Sequence, residues 1–233
     1  MYRSIFLIIS LFLLLVTATI SFDTKSINNK KNYNQYNLQN SIFKLIGVSE
    51  ESGFYTATGF VFKKRGSRTF ILTNDHFCKS TDGVFMIQNT EDYFYEAARV
   101  AEVEYSDPQY DLCIASTISE LEEEPLNIVD YNFKFSEELF TVGAPEGNYP
   151  MFYKIYFSSH SNNDHITSSF SDMQLSHGAF FVSGPIEVGQ SGSPVFNRNN
   201  DVVGVIFAKT GAFSGLVISS RDTLEFINNY FTY

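Results

Sequence analysis

Three short segments of the sequence carry the residue types that hydrolases use for nucleophilic catalysis. Residues 189–194 form a glycine-flanked turn that exposes Ser191, residues 71–76 form an apolar run that ends in His76, and residues 110–115 set Asp111 against an apolar run. A serine hydroxyl needs a base with a pKa near 7, which histidine supplies, and a carboxylate can hold that histidine in the right tautomer. The segments therefore predict acyl transfer, with Ser191 as nucleophile, His76 as base and Asp111 as orienting acid.

Each segment taken alone also has an ordinary structural interpretation. Glycine and serine are common in hairpin turns, and a histidine or an aspartate at the end of a strand often serves only as a surface or capping group. Asp107, which lies four residues earlier beside Pro108, competes with Asp111 for the role of the acid. The order of the three segments along the chain decides among the known mechanisms.

All four histidines precede Ser191, which excludes one large class of serine hydrolases; they are His76, His160, His165 and His177. An α/β-hydrolase places its base after the serine and ends its nucleophile elbow with glycine, where this chain has Ser193. A subtilisin order requires an acid on a strand before His76, and no suitable acid precedes it. The order His, Asp, Ser therefore remains.

The elements that must position these residues are short strands. Runs rich in β-branched and aromatic residues alternate with Gly, Asn and Pro turns, a rhythm typical of β-barrels or sandwiches. The predicted strands are residues 42–48, 55–63, 68–73, 83–88, 93–104, 112–116, 139–142, 151–158, 179–182, 194–196, 202–207 and 215–218. A C-terminal helix is predicted to follow, capped by Ser220 and docked on the last barrel through Leu224, Ile227 and Phe231.

The chain resembles the trypsin-like peptidases, in particular the bacterial branch that contains the HtrA proteases and the glutamyl endopeptidases. The likeness covers about residues 41–233, and no PDZ segment is expected after it. Its motifs are Leu72-Thr73-Asn74-Asp75-His76, Asp111-Leu112-Cys113-Ile114, Gly143-Ala144-Pro145-Glu146-Gly147, the serine turn and Val202-Val203-Gly204-Val205.

The resemblance implies an all-β fold of two six-stranded antiparallel β-barrels with a C-terminal α-helix, and a triad in the cleft between the barrels. It implies a serine endopeptidase that cleaves peptide bonds through an acyl-enzyme, with the amides of Gly189 and Ser191 as the oxyanion hole. The alternative is an inactive or dormant binding module of the same fold. Protein or peptide substrates are the expected partners.

The predicted substrate pocket is apolar. Glutamyl endopeptidases are thought to recognise glutamate partly through a histidine on the strand after the serine, and here that strand reads Val205-Ile206-Phe207. The position five residues before the serine is Ile186. With Ile186, Ile206 and Phe207 as pocket residues, we expect an uncharged aliphatic or aromatic residue at P1, the substrate position before the scissile bond.

Cys78 and Cys113 are the two cysteines, and each lies two residues after a predicted triad member. Strand alternation would send both side chains to the side of His76 and Asp111, so a disulfide and a pair of buried thiols both remain open. His160, Asp164 and His165 have metal-ligand residue types, but no further ligand completes a set nearby. No metal or cofactor is predicted.

Charge and the N-terminal pattern bound the location and the partners. The net charge of -10 argues against nucleic acid as a partner. Arg3 followed by the apolar residues 5–16 is typical of a secretory signal, which predicts a signal peptide over residues 1–22, a polar linker over 23–40 and a protease domain over 41–233. Residues 5–22 carry no charge, so a membrane tether by an uncleaved signal is the alternative to secretion. Oligomeric state is not specified.

Overall fold

The computed structural model describes residues 35–49, 53–89, 99–118, 120–161 and 178–232. The predicted signal and residues 23–34 of the predicted linker lie outside these ranges. Residues 35–40, the end of that linker, form the short helix α1 (Gln35–Asn40). Leu38 of α1 packs on the hydrophobic core and Gln39 Nε2 donates to the carbonyl oxygen of Pro150 at 2.6 Å. Gln35–Tyr233 form one compact unit, in which this short polar segment docks on the barrels.

The first six strands close into one antiparallel barrel in the order β1-β2-β3-β6-β5-β4. The strands are β1 (Ile42–Ser49), β2 (Gly53–Arg65), β3 (Arg68–Thr73), β4 (Val84–Gln88), β5 (Arg99–Asp107) and β6 (Leu112–Thr117). Every residue of β6, which pairs with β3 and β5, is buried. The core of this first barrel contains Phe43, Leu45, Ile71 and the two cysteines.

The remaining six strands close into a second antiparallel barrel in the order β10-β11-β12-β9-β8-β7. They are β7 (Glu138–Gly143), β8 (Met151–His160), β9 (Ala179–Ser183), β10 (Pro194–Phe196), β11 (Val202–Gly211) and β12 (Ser214–Ser219). The predicted all-β fold with two six-stranded barrels is confirmed. The predicted strand over residues 93–104 is observed only from Arg99, and its residues 93–98 lie outside the described ranges.

Two short connections carry residues that matter for the site. Helix α2 (Asp75–Lys79) follows β3 directly, and a single 3₁₀ turn (Pro145–Gly147) follows β7. His76 therefore lies on a helical turn, not at the end of a strand as predicted.

The C-terminal helix α3 (Ser220–Thr232) contacts both barrels. Its cap differs from the prediction: Ser219 Oγ accepts a hydrogen bond from the backbone amide of Asp222 at 3.2 Å, so Ser219, not Ser220, is the capping residue. Phe226 and Ile227 are its buried apolar residues, and Phe226 stacks on Tyr105 of the first barrel. Within the described ranges, no helix is long and apolar enough to span a bilayer.

Candidate active site

His76 is held by the turn that connects β3 to α2. The side-chain amide of Asn74 donates to the backbone carbonyl of Asp111 at 2.8 Å, and the backbone amide of His76 donates to Asp111 Oδ1 at 3.0 Å. These two bonds join the α2 turn to the turn before β6. The two turns that carry His76 and Asp111 are therefore fixed relative to each other by bonds other than the contact between the imidazole and the carboxylate.

The side chains of His76 and Asp111 also contact each other. His76 Nδ1 lies 2.9 Å from Asp111 Oδ2 and 3.1 Å from Asp111 Oδ1, and the carboxylate is 1% exposed. In the tautomer that donates from Nδ1 to this carboxylate, Nε2 is the unprotonated nitrogen and can accept a proton. Asp107 is directed elsewhere, since its carboxylate accepts from the amide of Gln109 at 2.8 Å.

The environment of His76 favours the imidazolium. Burial lowers the pKa of His76, whereas the hydrogen bond and charge of Asp111 and then the charge of Asp75 raise it, and the net shift is upward. Burial raises the pKa of Asp111, and the hydrogen bonds from His76 act in the opposite direction. The hydrogen bond and the charge of Asp111 therefore stabilise a proton on the His76 ring.

Cys78 and Cys113 are joined in a disulfide that links α2 to β6. Both residues are buried in the core of the first barrel. Strand alternation does not apply to Cys78, because this residue lies on helix α2, where side chains two residues apart do not share a face. The bridge ties the element that carries His76 to the strand that follows Asp111.

Ser191 lies in a tight turn of the second barrel that packs against β2 of the first. The amide of Thr58 donates to the carbonyl of Ser191, and Thr58 Oγ1 donates to the carbonyl of Gly189, both at 2.8 Å. Thr58 Oγ1 also accepts from the amide of Ala144 at 2.9 Å. Thr58 was not identified from the sequence, because its local pattern is that of an ordinary strand residue; its role depends on contacts 131 and 86 residues away.

The two glycines that flank the serine are required by backbone conformation and by space. Gly189 and Gly192 have φ values of 90° and 85°, a region that residues with a Cβ rarely adopt. A Cβ on Gly189 would lie 2.4 Å from the carbonyl oxygen of Ala144, and one on Gly192 would lie 2.0 Å from that of Thr58. These contacts explain why the turn needs glycine on both sides of the Gln190-Ser191 pair.

The serine hydroxyl and two nearby amides are available for chemistry. Within the described residues, Ser191 Oγ makes one hydrogen bond, to the carbonyl oxygen of Phe207 at 3.3 Å, and none to His76. In the same part of the chain, the backbone amides of Gly189 and Ser191 donate no hydrogen bond. Backbone donors without a partner, on a glycine turn beside a serine, can stabilise an oxyanion.

The three predicted pocket residues are all buried and do not form an open wall. Ile186 and Ile206 are each 1% exposed and belong to the core of the second barrel, and Phe207 is buried in the cluster between the barrels. The residues that reach the surface beside the serine turn are Val188 and the ion pair of Glu187 with Lys209. Sequence reasoning missed this pair because its members are 22 residues apart, with Glu187 in the loop after β9 and Lys209 on β11.

The candidate metal-ligand residues are only partly within the described ranges. The ring of His160 packs against Phe133 and Phe157 at centroid distances of 6.2 and 5.0 Å. Asp164 and His165 lie outside the described residues.

Comparison with known proteins gives a family match and a set of similar folds. Residues 57–205 match the family model described as a trypsin-like peptidase domain. The Rv3671c protease of M. tuberculosis in its active form is 19% identical, with a TM-score of 0.71 over 83% of this chain and 82% of that one. The MamO protease domain of Magnetospirillum magneticum is 15% identical, with a TM-score of 0.63 over 82% and 98%. A serine endoprotease from Yersinia pestis is 14% identical, with a TM-score of 0.60 over 84% and 64%.

Proposed function

Because this chain belongs to the trypsin-like peptidase family and is a serine peptidase, we propose that His76, Asp111 and Ser191 are its catalytic triad. The observation that carries the proposal is the buried Asp111 carboxylate within 2.9 Å of His76 Nδ1, on the barrel that packs directly against the serine turn. The chain order of the three residues supports the same assignment.

The proposed reaction is endopeptidase hydrolysis through an acyl-enzyme. Ser191 Oγ attacks the scissile carbonyl carbon while His76 Nε2 takes its proton, and the carbonyl oxygen becomes an oxyanion. The proton then passes from His76 to the leaving amine as the C–N bond breaks. Water repeats the sequence on the ester, which releases the acid and restores Ser191. Asp111 orients His76 and stabilises the imidazolium at each step.

The oxyanion is assigned to the backbone amides of Gly189 and Ser191. Both amides are without an intramolecular partner in the described part of the chain, and the glycine conformation at residue 189 sets the direction of the loop. Removal of one such donor in a serine protease costs about 10²- to 10³-fold in kcat.

The proposed P1 residue is apolar. The exposed groups beside Ser191 are the Val188 side chain and the Glu187–Lys209 ion pair, whose opposite charges cancel. Among the described residues beside the serine turn, a charged P1 side chain therefore finds no uncompensated partner, whereas an aliphatic or aromatic one can pack on Val188. Cleavage of a peptide library after Lys, Arg, Asp or Glu would contradict this preference.

We propose that the chain works outside the cytoplasm, as a secreted or membrane-tethered enzyme. Arg3 and the apolar residues 5–16 have the order of a secretory signal, and the disulfide between Cys78 and Cys113 is typical of oxidising compartments.

A dormant form is the second candidate, favoured by the bond between Ser191 Oγ and the Phe207 carbonyl. In that form the triad is complete but the hydroxyl is turned away from its base until a substrate or partner binds.

Covalent labelling of the full chain by a fluorophosphonate tests the proposal. We expect labelling of the wild type, none in Ser191→Ala or His76→Ala, and full labelling in the matched control Ser193→Ala, since Ser193 is buried. Labelling that persists in Ser191→Ala would overturn the assignment of the nucleophile. A folded wild type that does not label, but labels after peptide is added, would establish the dormant form.

A further inference from the structure

Asp75, the residue immediately before His76, is a second buried carboxylate at the site. Its side chain is 3% exposed, and Oδ2 accepts from the Lys79 ammonium at 2.7 Å. Its other oxygen, Oδ1, is buried and has no hydrogen-bond partner among the described residues. The carboxylate is thus satisfied on one side only, by a lysine whose side chain is largely exposed.

This arrangement is costly for folding. A buried carboxylate oxygen without a donor keeps much of its desolvation penalty, and an ion pair with a largely exposed lysine returns little of it. An apolar residue of similar size at a buried position often gives equal or greater stability. Stability therefore does not account for the carboxylate, and its position next to His76 offers another role.

Within the part of the chain that the structure describes, five charged groups lie on or next to the elements that hold His76. Asp111, in the turn before β6, contacts the ring directly, and Asp75 and Lys79 lie on the same helix as His76. Asp107, at the end of β5, turns its carboxylate to the Gln109 amide, and Asp82, after α2, is exposed. Of these, Asp111 and Asp75 are the two whose charges raise the pKa of His76.

We propose that Asp75 is a positioning residue that stabilises the His76 imidazolium formed when the base takes the serine proton, and that Lys79 sets the strength of this effect. The inference rests on the proposed role of His76 as the base. Asp111 supplies the direct hydrogen bond, whereas Asp75 supplies a buried charge that does not touch the reacting atoms. Because Lys79 neutralises part of that charge, removal of Asp75 and removal of Lys79 have opposite effects.

A ring titration by NMR measures the effect without activity. In the full chain carrying Ser191→Ala, the His76 ring signal is assigned by its loss in His76→Ala. We expect Asp75→Asn to lower the pKa of His76 by about half a unit to one unit, and Lys79→Gln to raise it by a similar amount. Asp82→Asn, which removes the same charge from an exposed position, serves as the control and should leave the titration unchanged.

The same shifts are expected in the pH profile of the active enzyme. His76 acts as a base only when neutral, so kcat/KM rises with pH through the pKa of His76, with a midpoint above ~6.5. Asp75→Asn should move that midpoint to lower pH, and Lys79→Gln to higher pH. The double variant should return close to the wild-type midpoint, because the two charges are removed together.

Two outcomes would overturn the proposal. The first is a His76 titration that neither single substitution moves more than Asp82→Asn does. The second is a titration that both move in the same direction, as expected if each merely distorts α2. Failure of the triad itself is seen separately, as a wild type that does not label with fluorophosphonate although its His76 titration responds as expected.

Discussion

His76 and Asp111, in the first barrel, face each other across distances of 2.9 and 3.1 Å, whereas Ser191, in the second, bonds to the Phe207 carbonyl. His76 and Asp111 are joined by contacts between their side chains and by a hydrogen bond from the His76 backbone amide to the Asp111 carboxylate, and a disulfide lies nearby. The serine turn is instead shaped by its backbone, with positive φ values at two glycines and two bonds to Thr58. We therefore expect the acid-base pair to lose activity when a polar group is exchanged without a change of shape. The serine turn should instead lose stability when a side chain is added to one of its glycines.

The largest expected effect tests the chemical side of this comparison. Asp111→Asn preserves the shape of the side chain but lets the amide stabilise the wrong tautomer of His76, so we expect kcat to fall about 10⁴-fold. Steady-state kinetics on a peptide substrate, with circular dichroism to verify the fold, measures it. Asp107→Asn is the matched control and should stay close to wild type, because its carboxylate is directed to the Gln109 amide. Equal losses in both variants would remove Asp111 from the triad.

The next effect tests the backbone side. Gly192→Ala puts a Cβ within 2.0 Å of the Thr58 carbonyl at a φ of 85°, so strain and overpacking add, and we expect a loss of about 4 kcal/mol in the free energy of unfolding. Gly66→Ala separates the two causes. Gly66 has a φ of 63° but open space around its Cβ position, so only the conformational cost of about 1 to 2 kcal/mol remains. Urea denaturation compares them, and equal losses would show that the close approach to Thr58 is unimportant.

The sequence predicted well what depends on local pattern. The bounds of β3 and β10 agree with the prediction to the residue, because alternation and turn residues mark both ends of those strands. The candidate triad could be assigned because its three segments have characteristic local sequences in a defined order. Helix α2 was missed because five residues are too few for a periodic signal, and its formation depends on packing against the barrel.

The sequence could not predict whether a buried side chain lies in the core of a barrel or at the active site. Ile186 and Ile206 were expected to line the substrate pocket, but an apolar sequence pattern cannot tell an open pocket from a packed barrel core. Likewise, the pattern could not show that Asp75 is buried beside His76, since an acid after an asparagine is typical of an exposed turn.

The smallest expected effect on activity concerns the disulfide, which supports the acid-base pair without taking part in the reaction. The bond closes a loop of 35 residues, so its reduction should lower the free energy of unfolding by about 4 kcal/mol. We expect kcat/KM to change by less than about threefold in the reduced but folded enzyme, since the bonds of His76 and Asn74 to Asp111 remain. Urea denaturation and kinetics with and without dithiothreitol measure both.

The double variant Cys78→Ala with Cys113→Ala shows whether dithiothreitol acts through this bond. The variant should be less stable than the oxidised wild type and insensitive to the reductant. If reduction abolishes activity while the chain is still folded, the disulfide itself fixes the geometry of His76, and the hydrogen bonds to Asp111 are not sufficient. If reduction leaves the urea midpoint unchanged, the hydrophobic core alone stabilises the first barrel. The two halves of the site then differ only in the hydrogen bonds around His76 and the glycines around Ser191.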